Sequence, residues 1–177
     1  MADEKKEVDP FKREALFPDN LYAQGKSEYV TGGKPDVPCI LCAIRDGDPK
    51  VRTHKLYQDD VVLITLNLYP FNPGHMLISP TRHVERWRDL TDEEIGKIMK
   101  CIKKAEDVLE REFGCTSFNF GVNEGKFSGA SIDHLHVQLI PRFKSELGFI
   151  DTVGKTRAMV FSLEQVQEKL KGKFTCQ

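Results

Sequence analysis

The run Ser131-Ile132-Asp133-His134-Leu135-His136-Val137-Gln138-Leu139-Ile140-Pro141-Arg142 sets two histidines and a glutamine on alternate residues of a largely apolar stretch. Side chains of a strand alternate between faces, so a strand here would place His134, His136, Gln138 and Ile140 on one face and Leu135, Val137 and Leu139 on the other. The apolar face can pack on a core while the polar face lines a site. A neutral imidazole keeps a lone pair at neutral pH and is both a good nucleophile toward phosphorus and a good leaving group from it. One of these histidines is therefore a candidate carrier of a phosphoryl or nucleotidyl group. Spacing alone fits a pair of half-exposed strand histidines without chemistry equally well. The segment just upstream shifts the balance: GVNEGKFSGAS brings Gly121, Gly125 and Gly129, where bare backbone N–H groups can approach phosphate oxygens.

A second constellation is Cys39-Ile40-Leu41-Cys42. The chain has five cysteines, an odd count without a secretion signal, which argues against a disulfide framework. Two thiolates at this spacing plus two imidazoles would close a tetrahedral zinc site, with His54, His75, His83, His134 and His136 as the available donors. A thioredoxin-like redox pair would lead into a helix within a βαβ pattern, which the sequence does not suggest. Zinc is the favoured reading, because the pair sits in a lead-in that a metal would help to fold. Cys101, Cys115 and Cys176 read as ordinary buried or terminal thiols.

The elements that must position these residues form an antiparallel pattern. VVLITLNLY (61–69) is rich in β-branched and aliphatic residues and stops at Pro70, PFNPG supplies turn chemistry, and HMLISP (75–80) resumes as a second strand. Thr91-Asp92-Glu93-Glu94 has the form of a capping box. Ile95, Ile98, Met99, Ile102, Ala105 and Leu109 then recur at helical steps up to Gly114, the expected stop. FNFGVN (118–123), the glycine loop and the histidine strand follow, and a last amphipathic helix starts at Ser162 with Gln165 completing a capping pattern. Strands joined by tight turns, with few helices set apart, predict an α+β fold: an antiparallel sheet with one long helix and a C-terminal helix.

Residues 1–38 are charged and weakly patterned and read as a flexible or irregular lead-in, leaving 39–177 as the domain. The 177 residues suit one domain with a sizeable core. The net charge of −1 gives no global basic field, which weakens nucleic acid as a partner. No stretch has the roughly 18 apolar residues of a membrane span, and the charged start lacks a signal peptide's apolar run. A soluble, cytoplasmic chain is expected.

The pattern resembles the histidine triad (HIT) superfamily, whose signature is His-x-His-x-His followed by two apolar residues, here HLHVQLI. The resemblance runs from about Cys39 to the C-terminus and takes in CILC, LNLYPFNPGHMLISPTRHV, DLTDEE and the glycine loop. It departs at Gln138, where hydrolase branches carry a third histidine. With GAS ahead of the first histidine and glutamine in the last slot, GASIDHLHVQ is most similar to the transferase branches. Of these, the diadenosine tetraphosphate phosphorylases fit the chain length better than the galactose-1-phosphate uridylyltransferases, which are normally about twice as long.

The resemblance implies a HIT-like fold and His136 as the nucleophile at the α-phosphorus, giving a nucleotidyl-histidine that is passed to phosphate. Gln138 would bond the phosphoryl oxygens, Ser131 and Asn123 would donate near the scissile bridge, and Asn67 would hold the ribose hydroxyls. Gly129 belongs to the phosphate-facing loop. Taken alone, Asn67, Asn123 and Ser131 also suit turn capping, and His83 a solvated surface. A structural zinc on Cys39, Cys42, His83 and His134 is implied, as are an adenine-bearing dinucleoside polyphosphate substrate and a homodimer. An amide cannot shuttle a proton, so Gln138 leans the reading toward transfer rather than hydrolysis. A hydrolase using the same site is the alternative, and a zinc-stabilised nucleotide-binding module the third reading.

Overall fold

Buried β-branched and aliphatic runs build the centre of the sheet. The computed structural model describes residues 35–144 and 161–176, all within one of the two units into which the chain divides. Five antiparallel strands, β1 (Lys55–Gln58), β2 (Val62–Leu66), β3 (Met76–Pro80), β4 (Ser117–Val122) and β5 (Val137–Arg142), lie in the order β1-β2-β3-β5-β4. β2 (VLITL) and β3 (MLISP) are buried at every residue, because both faces of the sheet are covered here. Among the described residues, three α-helices accompany the sheet: α1 (Ile40–Asp46), α2 (Asp92–Phe113) and α3 (Leu163–Leu170).

α2 is the helix that its caps and period predict. Thr91 Oγ1 accepts from the Glu94 N–H and the Glu94 carboxylate accepts from the Thr91 N–H, and Gly114 closes the helix at φ 67°. Its apolar stripe of Ile98, Cys101, Ile102, Ala105, Val108 and Leu109 packs on Val62, Ile64, Met76, Ile78 and Leu139 of the sheet. α3 joins the same layer through Val166 and Leu170, and Ser162 and Gln165 form the second capping box. The opposite face carries a smaller cluster: Leu41 and Ile44 of α1 with Val51, Leu63 and Leu77. That face holds the polar residues of the site.

Four sequence expectations need correction. The first predicted strand ends at Leu66 rather than at Tyr69. The short strand β1 was not foreseen. The C-x-x-C pair does lead into a helix, since Cys39 is the N-cap of α1 and its Sγ accepts from the Cys42 N–H at 3.4 Å. Finally, β5 begins at Val137, so His134 and His136 precede it. The backbone there bonds elsewhere: the Leu135 N–H reaches Val84 O at 2.6 Å and the His134 carbonyl takes a ring N–H, which leaves neither for the ladder. The predicted alternation holds from Val137 onward, where Gln138 and Ile140 are half-buried between buried neighbours. Most of the predicted lead-in 1–38 lies outside the described residues.

Gly74, in the β2–β3 turn, ties the hairpin to the helical layer. Its φ is +88°, and a Cβ there would stand 2.7 Å from Leu109 Cδ2 and 3.3 Å from Pro141 Cγ. Gly74→Ala is therefore expected to destabilise the fold by about 1–3 kcal/mol. Gly96→Ala meets nothing within 4 Å on α2 and is expected to gain about 0.5–1 kcal/mol. Urea denaturation of the two variants checks both signs.

Candidate functional site

The site takes shape around which ring nitrogen of each histidine is free. His136 Nδ1 lies 2.8 Å from the His134 carbonyl oxygen, which can only accept, so Nδ1 carries the proton. Nε2 of His136 then presents a lone pair. His134 is arranged the other way: its Nε2 donates to Pro80 O at 3.0 Å, leaving the Nδ1 lone pair free. Burial pushes both rings below the ordinary histidine value, His134 to about 4, so both are neutral at neutral pH. Two adjacent histidines thus expose different nitrogens in different directions.

His136 lines a cavity of about 320 Å³ on the α1 face of the sheet. Asn67, Asn123, Gly129, Ser131 and Gln138 line it as well, so the six nucleotide-directed residues of the sequence reading converge on one space. Cross-strand pairing explains this for Gln138, which sits between Leu77 of β3 and Gly121 of β4. Gly121 adds no side chain beside the amide. Gly129, at φ +86°, has Asn123 Nδ2 standing 4.0 Å from where its Cβ would be. Asn67 follows β2, with its Oδ1 accepting from the Tyr69 N–H at 3.0 Å.

His75 is the residue whose place the sequence reading missed, having named it only as a possible metal donor. It is fully buried and stacked on Phe71. Burial pushes it down to about 4, against a hydrogen bond to Gln138 and with His136 nearby. The Phe71 N–H donates to His75 Nδ1 at 3.1 Å, and Asn67 Nδ2 stands 3.4 Å from both ring nitrogens. A histidine following Pro-Gly in a tight turn is a local signal, but its partner lies 63 residues away and only the pairing of β3 with β5 joins them.

Cys39, Cys42, His83 and His134 form a separate cluster, each with one donor atom within 4.8 Å of the others. His134 Nδ1 is 3.3 Å from Cys39 Sγ and 3.6 Å from Cys42 Sγ, and His83 Nδ1 is 3.5 Å from Cys42 Sγ. Zinc bonded to sulfur at about 2.3 Å and to nitrogen at about 2.0–2.1 Å in a tetrahedron sets sulfur and nitrogen about 3.5 Å apart. The donor set fits that metal. The far nitrogens fit too, since His134 Nε2 is held by a carbonyl and His83 Nε2 lies 3.7 Å from Glu85 Oε1. Burial, with Cys39 alongside, pushes the bare Cys42 thiol up to about 11. A cation between the two sulfurs would reverse that.

The segment carrying His83 is fixed from both sides. Arg82 donates to both Glu94 carboxylate oxygens, at 3.1 and 2.9 Å, and Arg45 of α1 donates to Thr81 O at 2.7 Å. Glu94, the capping-box partner of Thr91, therefore also anchors the segment that carries His83.

Comparison with known proteins follows the same lines. The HIT domain family model matches residues 43–145. AP-4-A phosphorylase of Mycobacterium tuberculosis is 38% identical over 100 residues, which cover 56% of this chain and 51% of that protein. The asymmetrical bis(5'-nucleosyl)-tetraphosphatase of Schizosaccharomyces pombe is 33% identical over 103 residues, 58% of this chain and 57% of the relative. The chain thus spans little more than half the length of either. A Zn-bound histidine triad family protein from Mycobacterium smegmatis shares the fold at a TM-score of 0.64 and 23% identity, covering 77% of this chain and 92% of that one. No helix among the described residues is long and apolar enough to cross a membrane.

The Arg82 hydrogen bonds, and that from Thr91, hold the Glu94 carboxyl below its ordinary value of 4.5 despite its burial. A depressed folded-state value means that the stabilisation is fully present above pH 4.5 and is lost as the pH falls below it. Glu94→Gln is expected to lower stability by about 1–2 kcal/mol at pH 7, with a deficit that shrinks at pH 3. Denaturant midpoints measured at both pH values check this.

Proposed function

Because the chain belongs to the HIT domain family, we propose that it cleaves a nucleotide phosphoanhydride by way of a nucleotidyl-histidine. The substrate is a dinucleoside polyphosphate such as diadenosine tetraphosphate, and orthophosphate is the acceptor. The carrying observation is the 2.8 Å hydrogen bond from His136 Nδ1 to the His134 carbonyl, which leaves Nε2 of a buried neutral ring free beside Gln138 in the cavity. In this reading Nε2 attacks the α-phosphorus, a P–N bond forms, and the bridging P–O bond breaks with departure of ATP. A phosphate oxygen then attacks the same phosphorus, the P–N bond breaks, and ADP leaves with His136 neutral again.

The NH₂ of Gln138 supplies a donor to the phosphoryl oxygens as charge develops on them. Asn123 and Ser131 add donors near the bridge, Gly129 lets the loop backbone approach, and Asn67 holds the ribose. An amide is no base, and orthophosphate, already anionic, needs none. The names of the relatives support phosphoanhydride cleavage but divide between phosphorylase and hydrolase. Hydrolysis at the same site would differ only in the acceptor.

Zinc on Cys39, Cys42, His83 and His134 completes the proposal. Four protein ligands close a tetrahedral shell, so the metal when bound supplies structure and no reactive water. It would tie α1, through its cap and first turn, to the segment that carries the nucleophile.

Two measurements check these assignments. Incubation of the full chain with diadenosine tetraphosphate and phosphate is expected to yield ADP and ATP, with turnover falling strongly when phosphate is omitted. His136→Ala is expected to lose at least about a thousandfold in turnover while still binding nucleotide. Equal rates without phosphate, giving AMP and ATP, would assign a hydrolase instead. For the metal, purified protein is expected to hold one zinc per chain, and Cys39→Ala is expected to lower Tm by about 5 °C or more with a smaller effect on turnover. Zinc-free protein with an unchanged Tm would remove the metal from the account.

A further inference from the structure

Phe127 is wholly exposed, where the other exposed large apolar side chains, Phe71, Met99 and Phe120, keep a large part of their surface covered. It stands at the apex of the short turn Lys126–Ser128. Fraying does not put it there, because the turn is closed by its own hydrogen bonds. The Ser128 N–H reaches Gly125 O at 3.2 Å, Ser128 Oγ donates to the same carbonyl at 2.8 Å, and the Gly129 N–H reaches Lys126 O at 3.3 Å. Gly125 and Gly129 bracket the turn at φ +83° and +86°, a region that glycine enters without strain. A lone exposed ring is ordinary on a protein surface. What gives this one meaning is the loop that holds it.

That loop borders the cavity at His136. Asn123 before it and Gly129 and Ser131 after it all line the cavity, so Phe127 stands close to the cavity wall along the chain. In the reaction proposed above, the departing ATP passes Asn123 and Ser131, which brings the far end of the substrate beside this loop. The cavity, at about 320 Å³, is near the lower end of the roughly 300–1,000 Å³ of small-molecule sites, with room for one nucleotide and not for two joined ones. The second nucleoside must lie outside it. The charges agree with this direction. Lys50 and Arg52, the cavity-lining lysine and arginine, both belong to the segment between α1 and β1. Arg86 is paired with Glu124 at 3.9 Å. Lys126, next to Phe127, is the cation placed on the loop itself.

We propose that Phe127 is a specificity-determining residue that stacks on the distal nucleoside of a dinucleoside polyphosphate, with Lys126 meeting the phosphates between the two nucleosides. The inference rests on reading the cavity as the nucleotide site. It separates two classes of substrate: a ligand with a second base gains the stacking contact, and a nucleotide with one base does not. Every base has a π-face, so this platform selects for the presence of a second nucleoside rather than for its identity.

Calorimetric titration of the full chain with three ligands tests this: AMP, adenosine 5′-tetraphosphate and diadenosine tetraphosphate. The last two carry methylene in place of the bridging oxygen at each adenosine-bearing phosphorus, so that neither is cleaved. Phe127→Ala removes a wholly exposed ring and leaves the packing untouched. It is expected to weaken the diadenosine ligand roughly tenfold and to leave the other two within about twofold of the wild-type chain. Phe127→Trp, which keeps an aromatic face, should retain the wild-type affinity for the diadenosine ligand. Lys126→Ala should weaken both polyphosphates and flatten the salt dependence of their binding, with little effect on AMP. An unchanged diadenosine affinity in Phe127→Ala would overturn the subsite, while AMP binding left the nucleotide site standing. An equal loss for all three ligands would overturn it as well. A Phe127→Ala chain with altered elution volume and unaltered affinity would assign the ring to a contact between copies, again overturning the subsite. Binding of none of the three by the wild-type chain would remove the nucleotide reading and the subsite together.

Discussion

Two backbone carbonyls set the tautomers of the two central histidines. Pro80 O holds the Nε2 proton of His134, and the His134 carbonyl holds the Nδ1 proton of His136. A carbonyl only accepts, so each contact fixes a tautomer, and each leaves the opposite nitrogen free. Residues two apart in the chain are thereby given different tasks: His134 directs a lone pair at two thiols, and His136 offers one beside the cavity. A single hydrogen bond misplaced here would turn the proposed ligand or the proposed nucleophile into a donor with nothing to donate to.

The rest of the fold holds those carbonyls in place. Pro80 ends the buried strand β3, and the Leu135 N–H binds Val84 O, so the histidine segment is pinned to the segment that carries His83. Arg82 binds that segment to Glu94 at the start of α2, whose apolar stripe covers the other face of the sheet. β3 also presents Leu77 opposite Gln138, while His75, one residue before the strand, reaches the Gln138 amide. Sheet pairing and one long helix thus convert a sequence motif into a directed set of donors and acceptors. The cavity on the opposite face follows from α1 covering only part of the sheet, with Leu41 and Ile44 packed on Leu63 and Leu77.

The sequence was most readable where local signals are redundant. For α2 the capping box, the period and Gly114 agree, and the helix runs between them. The hairpin was readable because a β-branched run meets a Pro-Gly turn. α1 was not, because it is seven residues long and capped by a cysteine, a weak cap that reads first as a metal or redox signal. β1 has three half-buried residues and an exposed one, with no alternation to mark them. The four cluster residues were named in the sequence, but from the residues alone five histidines could have completed the cysteine pair, and His83 was chosen through the family resemblance. The links from His75 to Gln138 and from His54 to Gln167 join residues 63 and 113 positions apart, visible only once the strands and α3 are placed.

The central claim is that the free Nε2 of His136 becomes covalently bonded to phosphorus. Mixing the full chain with diadenosine tetraphosphate for one turnover, quenching in base to preserve an acid-labile P–N bond, and locating the adduct by peptide mass spectrometry tests it directly. One adenylyl group on His136, removed when phosphate is added before the quench, is the expected result. Turnover with no adduct, or an adduct on any other residue, would contradict it.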